Sequence, residues 1–466
     1  MVNIMSRIIG SWSFYKRTLL IAVPIMVQNL ITNFVALIDN IMVGQIGTEQ
    51  MSGVSIVNQL LFVFNLTIFG SLSGAGIFCT QFFGKKDDDG VRHTMRFKFL
   101  TGCAITGIGI AIFMLLGDML IQNYLHDAEK GIDLVLTFDS AKSYLRIMLV
   151  GLVPFALEQI YSSTLREGGR AMPPMIAGIA AVVTNTLLNY LLIFGIGPFP
   201  EMGVEGAAIA TVISRFVQAG IVIIWAHCNS RTLPYIKGLY RSMKIPVQLA
   251  KRITIKGLIP LTLNESLWSA GVAMLSQQYS LRGVDVVAGL NISSTVVNLF
   301  NVLFIAFGSG VSVVIGQLLG SNDLKGAKEA APKLIFFSGA LCVVIGTAMA
   351  CFSGLFPQFY NTTDDIRALA SSFILISAVL MPIHGILHAT YFTLRSGGKT
   401  IITFIFDCGF SWLISVPLAF CLANFTTLPI IPLYLIVQSI ESIKCVVGLI
   451  LIKKGVWLSN IVSENT

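Results

Sequence analysis

Charge is scarce in this chain. Only 12% of its 466 residues are Asp, Glu, Lys or Arg, against 55% hydrophobic, and the mean hydropathy is +0.80, a balance that excludes a soluble globule of ordinary composition. No basic run is interleaved with exposed-type aromatics, so the net charge of +8 gives no sign of a nucleic-acid partner. The eight cysteines include no CxxC pair, which argues against a disulfide framework or a zinc site. HExxH, GxSxG and acidic metal-binding loops are missing as well, so a membrane-embedded enzyme is the weaker reading and no cofactor is expected. The N-terminus, MVNIMSRIIGSWSFYKR, has no short apolar core ending in a small-residue cleavage site, unlike a signal peptide.

What the chain does have is apolar runs. About 20 such residues cross a hydrocarbon core of ~30 Å. Twelve runs qualify: 17–45, 53–82, 96–117, 134–163, 172–195, 205–227, 253–280, 286–318, 333–356, 367–393, 400–423 and 430–452. The fold class expected is an all-α polytopic membrane protein with twelve transmembrane helices in two six-helix lobes. Residues 1–228 form the first lobe, 229–252 a basic amphipathic linker along the membrane surface, and 253–466 the second lobe.

The halves match each other. Adding 236 to the numbering sets Pro24 on Pro260, and from Gly47 to Gly90 it runs without a gap. Asn65, Ser73, Gly74, Gln81, Gly84, Asp87 and Gly90 meet Asn301, Ser309, Gly310, Gln317, Gly320, Asp323 and Gly326. Chance likeness between apolar helices would give Leu, Ile and Val, so these polar and glycine matches imply an internal parallel duplication, as in several transporter folds. With an offset of 229, Thr164–Arg170 (TLREGGR) meets Thr393–Lys399 (TLRSGGK), each reading as a helix stop.

Lys and Arg set the orientation. Most of the 31 basic residues fall in the N-terminal arm with Arg7, in alternate loops, in the linker and in the tail, whereas the opposite loops hold only Lys130, Arg282 and Arg367. The positive-inside rule places both termini in the cytoplasm of a cell whose inner or plasma membrane the protein spans.

Acids inside apolar spans are costly, roughly 2.5 to 3.5 kcal/mol on insertion scales, and mark function. Asp39 near the outer end of span 1, Asn185 and Asn189 one turn apart in span 5, and Thr211 in span 6 share a level at 1.5 Å of rise per residue. They are candidates to surround one small cation with oxygens, or equally to form a polar packing network. Glu265 in span 7 and His384 in span 10 are placed at similar depth and form a candidate proton relay, unless His384 only satisfies Glu265 or a carbonyl freed by Pro382. His388 and Asp407 are secondary candidates, as an ion pair or gate. His384 and His388 have metal-like spacing without a third ligand on their helix. Glu441 and Lys444, three apart, are expected to neutralise each other.

The chain resembles the multidrug and toxic compound extrusion (MATE) family. The resemblance covers nearly its whole length and rests on the proline and acid of span 1, on DNIMVGQIGTEQMSGVSI with its repeat counterpart, on the paired TLRxGG turns, and on NYLLIFGIGPFPEMGVEGAAIATVISR. It implies a secondary antiporter in which two lobes alternate to export organic, amphipathic cations in exchange for H+ or Na+, most simply as a monomer in the bilayer. It also implies that Asp39, Asn185, Asn189 and Thr211 match the family's amino-lobe cation site, although many relatives have aspartate where this chain has Asn189. Glu265 matches the span 7 acid, and His384 stands near a span 10 aspartate. The alternative inside the same superfamily is a lipid-linked oligosaccharide flippase, which would need a cavity rich in Arg and Lys.

Overall fold

The computed structural model describes residues 9–125, 133–360 and 362–463, so Arg7 and Lys130 lie outside the described residues. Helix is the regular structure throughout those residues. The first half runs as α1 (Trp12–Gly44), α2 (Thr48–Lys85), α3 (Asp88–Tyr124), α4 (Leu134–Val150), α5 (Leu152–Glu167), α6 (Met172–Ile193) and α7 (Gly203–Cys228). The second begins with α8 (Val247–Ile253), a π turn at Thr254–Leu258 and α9 (Ile259–Ser280), followed by α10 (Val284–Gly320), α11 (Leu324–Phe352) and α12 (Asp364–Ser396). It ends with α13 (Thr400–Phe425) and α14 (Ile430–Lys454).

Among the described residues ten helices are long and apolar enough to cross a membrane, and α4 with α5, bent by 47°, makes an eleventh. The bend has a covalent cause: Pro154 has no N–H for the carbonyl of Val150. The twelfth expected span, 253–280, is helical in α9 but too polar to join that set. Thr262, Asn264, Glu265, Ser266, Gln277 and Gln278 interrupt it. Six helical spans per half still follow the twelve-helix plan, with α9 as the polar member that carries Glu265.

The chain divides into two units, one of Met1–Met26, Thr80–Lys86 and Arg252–Thr466, the other of Val27–Cys79 and Asp87–Lys251. The division falls inside α1, just after Pro24. In the second unit the 229–251 segment is tied to α3: Arg92 donates to the carbonyls of Tyr235 and Pro234, and Arg96 to those of Leu239 and Gly238.

The duplicated residues do duplicated work. Asp87 and Asp323 are the N-caps of α3 and α11, each accepting from the amide three residues on, Gly90 at 2.9 Å and Gly326 at 2.8 Å, which satisfies an otherwise orphaned helix-start donor. The two TLRxGG turns end α5 and α12 with a left-handed glycine, Gly169 at φ +80° and Gly398 at φ +71°.

Within the first unit, the ends of α2 and α10 cross at their repeat-related residues. A Cβ on Gly84 would lie 2.0 Å from the Gln317 carbonyl oxygen, and one on Gly320 would lie 1.9 Å from that of Gln81. Backbone touches backbone there, so only glycine fits on either side. Gly320→Ala and Gly84→Ala are each expected to lower the melting temperature by several degrees, since overpacking costs roughly 1–3 kcal/mol. Gly107→Ala, with open space around its Cβ, is the control; equal melting of all three would contradict the crossing.

The end of the chain fastens this corner. Buried Gln81 donates through Nε2 to the carbonyls of Ser396 at 2.9 Å and Ser459 at 3.2 Å, and its Oε1 accepts from the Ile461 amide at 2.8 Å. Trp457 is 1% exposed.

Candidate functional site

In the second unit, the four residues expected at one level meet. Asn189 Nδ2 donates to Asp39 Oδ1 at 2.7 Å. The Asn185 amide nitrogen donates to both carboxylate oxygens, at 3.0 and 2.9 Å, and its oxygen accepts from the Thr211 hydroxyl at 3.2 Å; the opposite orientation would set a carbonyl against a carboxylate. α6 positions both amides because residues four apart share a helix face, and α7 positions Thr211. Asn185 is 6% and Asn189 1% exposed. Among the described residues no Lys or Arg pairs with Asp39. The Asn189 Oδ1, buried beside the carboxylate, has no hydrogen-bond partner, although buried acceptors are normally satisfied. A carboxylate, a vacant amide oxygen and a hydroxyl in one place form a donor set suited to a hard monovalent cation or to a proton.

Near it, Arg215 donates to the Gly151 carbonyl at 3.3 Å, where α4 bends into α5, and lies 5.1 Å over the Phe155 ring. Glu158 accepts from Gln159 at 2.8 Å and from Ser162 at 2.5 Å. Arg215 thus has carbonyl and ring neighbours, and Glu158 has neutral hydrogen-bond donors with Arg166 as a charged neighbour.

The first unit holds a different kind of cluster. Lys444 Nζ sits 2.6 Å from Asp407 Oδ1 and 3.5 Å from Glu441, so the expected Glu441–Lys444 pair is the longer arm of a triad. The long lysine stem reaches across from α14 to α13, which i,i+3 spacing alone does not reveal. Asn264 Nδ2 donates to Asp407 Oδ2 at 3.1 Å and to the Tyr391 hydroxyl at 3.2 Å. Glu265 is half-buried and has Tyr391, Arg395 and Asp407 as its neighbours. The groups around His384 are His388 and Lys444, and the Glu265 level is that of Tyr391, two turns further along α12. α12 runs from Asp364 to Ser396, three residues beyond its expected span at each end, and a π turn precedes α9. His388 turns its Nδ1 to the His384 carbonyl at 3.1 Å and packs on Phe304 at 4.7 Å; it lies beside Asp407, whose ion pair goes to Lys444. Sequence reasoning missed Asn264, Tyr391 and Arg395. Asn264 adjoins Glu265, and Tyr391 lies seven residues from His384, a spacing that returns to the same helix face.

Comparison with known proteins agrees with this architecture. The MatE family model matches residues 24–191 and 261–421, one segment in each half of the repeat. The probable multidrug resistance protein NorM of Thermotoga maritima is 27% identical over 420 residues, 88% of this chain and 86% of that protein. The probable multidrug resistance protein YoeA of Bacillus subtilis is 23% identical over 428 residues, 90% of this chain and 89% of that protein. Among solved structures, a MATE protein in its bent conformation superposes with a TM-score of 0.84 at 17% identity, over 95% of each chain. An outward-facing multidrug resistance MATE family transporter of the MOP superfamily gives 0.81 at 17% identity, over 97% of this chain and 98% of that one. The chain is a multi-pass membrane protein and belongs to the MatE family of multidrug efflux transporters.

Proposed function

We propose that this transporter is a secondary antiporter that exports organic, amphipathic cations in exchange for H+ or Na+, and that the coupling cation enters at Asp39. The observation that carries this reading is the contrast between the two acid clusters. Asp39 is held by amides alone, beside an unpartnered Asn189 oxygen, so an arriving cation changes the local charge from −1 to 0. Asp407 already has a tethered cation in Lys444, and a mobile ion would have to displace it.

Neutralising Asp39 removes negative charge that would otherwise complement a cationic substrate, so coupling ion and substrate oppose each other by a reciprocal free energy. Glu265, beside Tyr391, is the second acid available to an organic cation; His384, His388 and Asp407 serve the Lys444 cluster. Lobes of residues 1–228 and 253–466, joined by 229–252, would alternate access as a monomer in the cell membrane, with both termini cytoplasmic.

The test is efflux of a dye cation from reconstituted vesicles under separate pH and sodium gradients. One gradient, imposed alone, should accelerate export severalfold. Export indifferent to both gradients would refute antiport.

A further inference from the structure

A second binding place lies away from the acids, on the flank of the second unit. A groove of about 390 Å3 runs between one face of α3, with Phe97, Leu100 and Ala104, and the 229–251 segment, with Met243, Ile245 and Val247. The α3 face extends roughly 10 Å, seven residues at 1.5 Å each. The groove is dry in character: its one hydroxyl, on Thr101, turns back to the carbonyls of Phe97 and Lys98 at 2.8 and 3.3 Å. No carboxylate lines it, so nothing there would attract an organic cation.

The outer wall is fixed and positively charged. Arg96 donates to Leu239 at 3.0 Å, Gly238 at 2.7 Å and Lys244 at 3.4 Å, all through backbone carbonyls, which holds the segment across α3. Arg241 and Lys244, flanking Met243, are exposed, as are Lys237 and Lys251. The chain has no Asp or Glu between Glu205 and Glu265. On the packed helix, Asp89 is paired with Arg92 and lies eight residues before Phe97. An apolar groove beside an acid-free basic stretch of chain matches one ligand chemistry, a chain of hydrocarbon ending in a phosphate.

We propose that this groove binds one anionic phospholipid, with an acyl chain along Leu100 and Ala104 and the phosphate against Arg241 and Lys244. The acyl chain gains packing against the groove, and the basic residues beside it select an anionic head over a zwitterionic one. The site is independent of the antiport reading.

Native mass spectrometry of the delipidated full-length protein tests it, with phosphatidylglycerol, phosphatidylcholine or inorganic phosphate added separately. One phosphatidylglycerol should be retained at least tenfold more tightly than phosphatidylcholine, and inorganic phosphate should neither bind nor displace it. The double variant R241E/K244E should lose at least tenfold in phosphatidylglycerol retention and keep its weak phosphatidylcholine uptake. Ala104→Trp, which fills the slot, should lose phosphatidylglycerol as well; Val247→Glu, at a side chain 82% exposed, is the second slot variant if the first is not monodisperse. Equal retention of the two lipids, competition by inorganic phosphate, or unchanged retention in the slot variants would each overturn the proposal.

Discussion

Replacing Asp39 by asparagine is expected to reduce gradient-driven dye export at least tenfold and to erase the response of dye binding to pH and sodium. The change is nearly isosteric, so α1 keeps its packing, but the site loses the one group that can gain or lose charge. Three amide N–H bonds converge on the Asp39 carboxylate, one from Asn189 and two from Asn185. An asparagine offers a single carbonyl oxygen to them and adds two donors of its own. At least one buried donor is left unmet, which costs about 1–3 kcal/mol, a loss that a melting curve detects separately from transport. Dye binding measured in detergent should fall to the level of the cation-loaded wild type and stay there, the remainder being held by Glu265 and the apolar surface. Export by the variant at the wild-type rate would remove Asp39 from the coupling role.

Breaking the Lys444 cluster is expected to cost stability before it costs transport. Removing one partner of a buried pair leaves an uncompensated charge, worth about 3–5 kcal/mol in soluble proteins. The geometry adds an asymmetry. Lys444→Met strands two carboxylates, Asp407 and Glu441, whereas Asp407→Asn leaves Lys444 its longer contact with Glu441 at 3.5 Å. Lys444→Met should therefore melt lower than Asp407→Asn. The double variant should recover part of the loss, since neither the Asp407 charge nor the Lys444 charge remains. Additive losses in the double variant would mean that the 2.6 Å contact carries no coupling energy.

The parts of this molecule that were legible in advance are those set by short-range periodicity. Asn185 and Asn189 had to share a face of α6, and an equal count from the outer ends brought Asp39 and Thr211 to them. The duplication was visible because its surviving matches are residues no neighbour could replace, such as Gly84 and Gly320 at a backbone contact and Asp87 and Asp323 as caps. The other half of the site depended on quantities that local pattern does not encode. Helix counting gave no sign of Tyr391 and Arg395 beside Glu265, and a flexible lysine preferred an acid on another helix over the one a turn away on its own.

The fastening of Gln81 bears on how the protein is made. Its buried amide belongs to α2, yet two of its three hydrogen bonds are to Ser459 and Ile461, which leave the ribosome about 380 residues later. Until then this side chain lacks two of its three partners, so the corner is completed by a docking event and not by the insertion of a helix. A chain cut just short of Trp457 would hold α1 to α14 and still carry an open corner, the kind of exposed polar backbone and side chain by which quality-control proteases recognise unfinished membrane proteins.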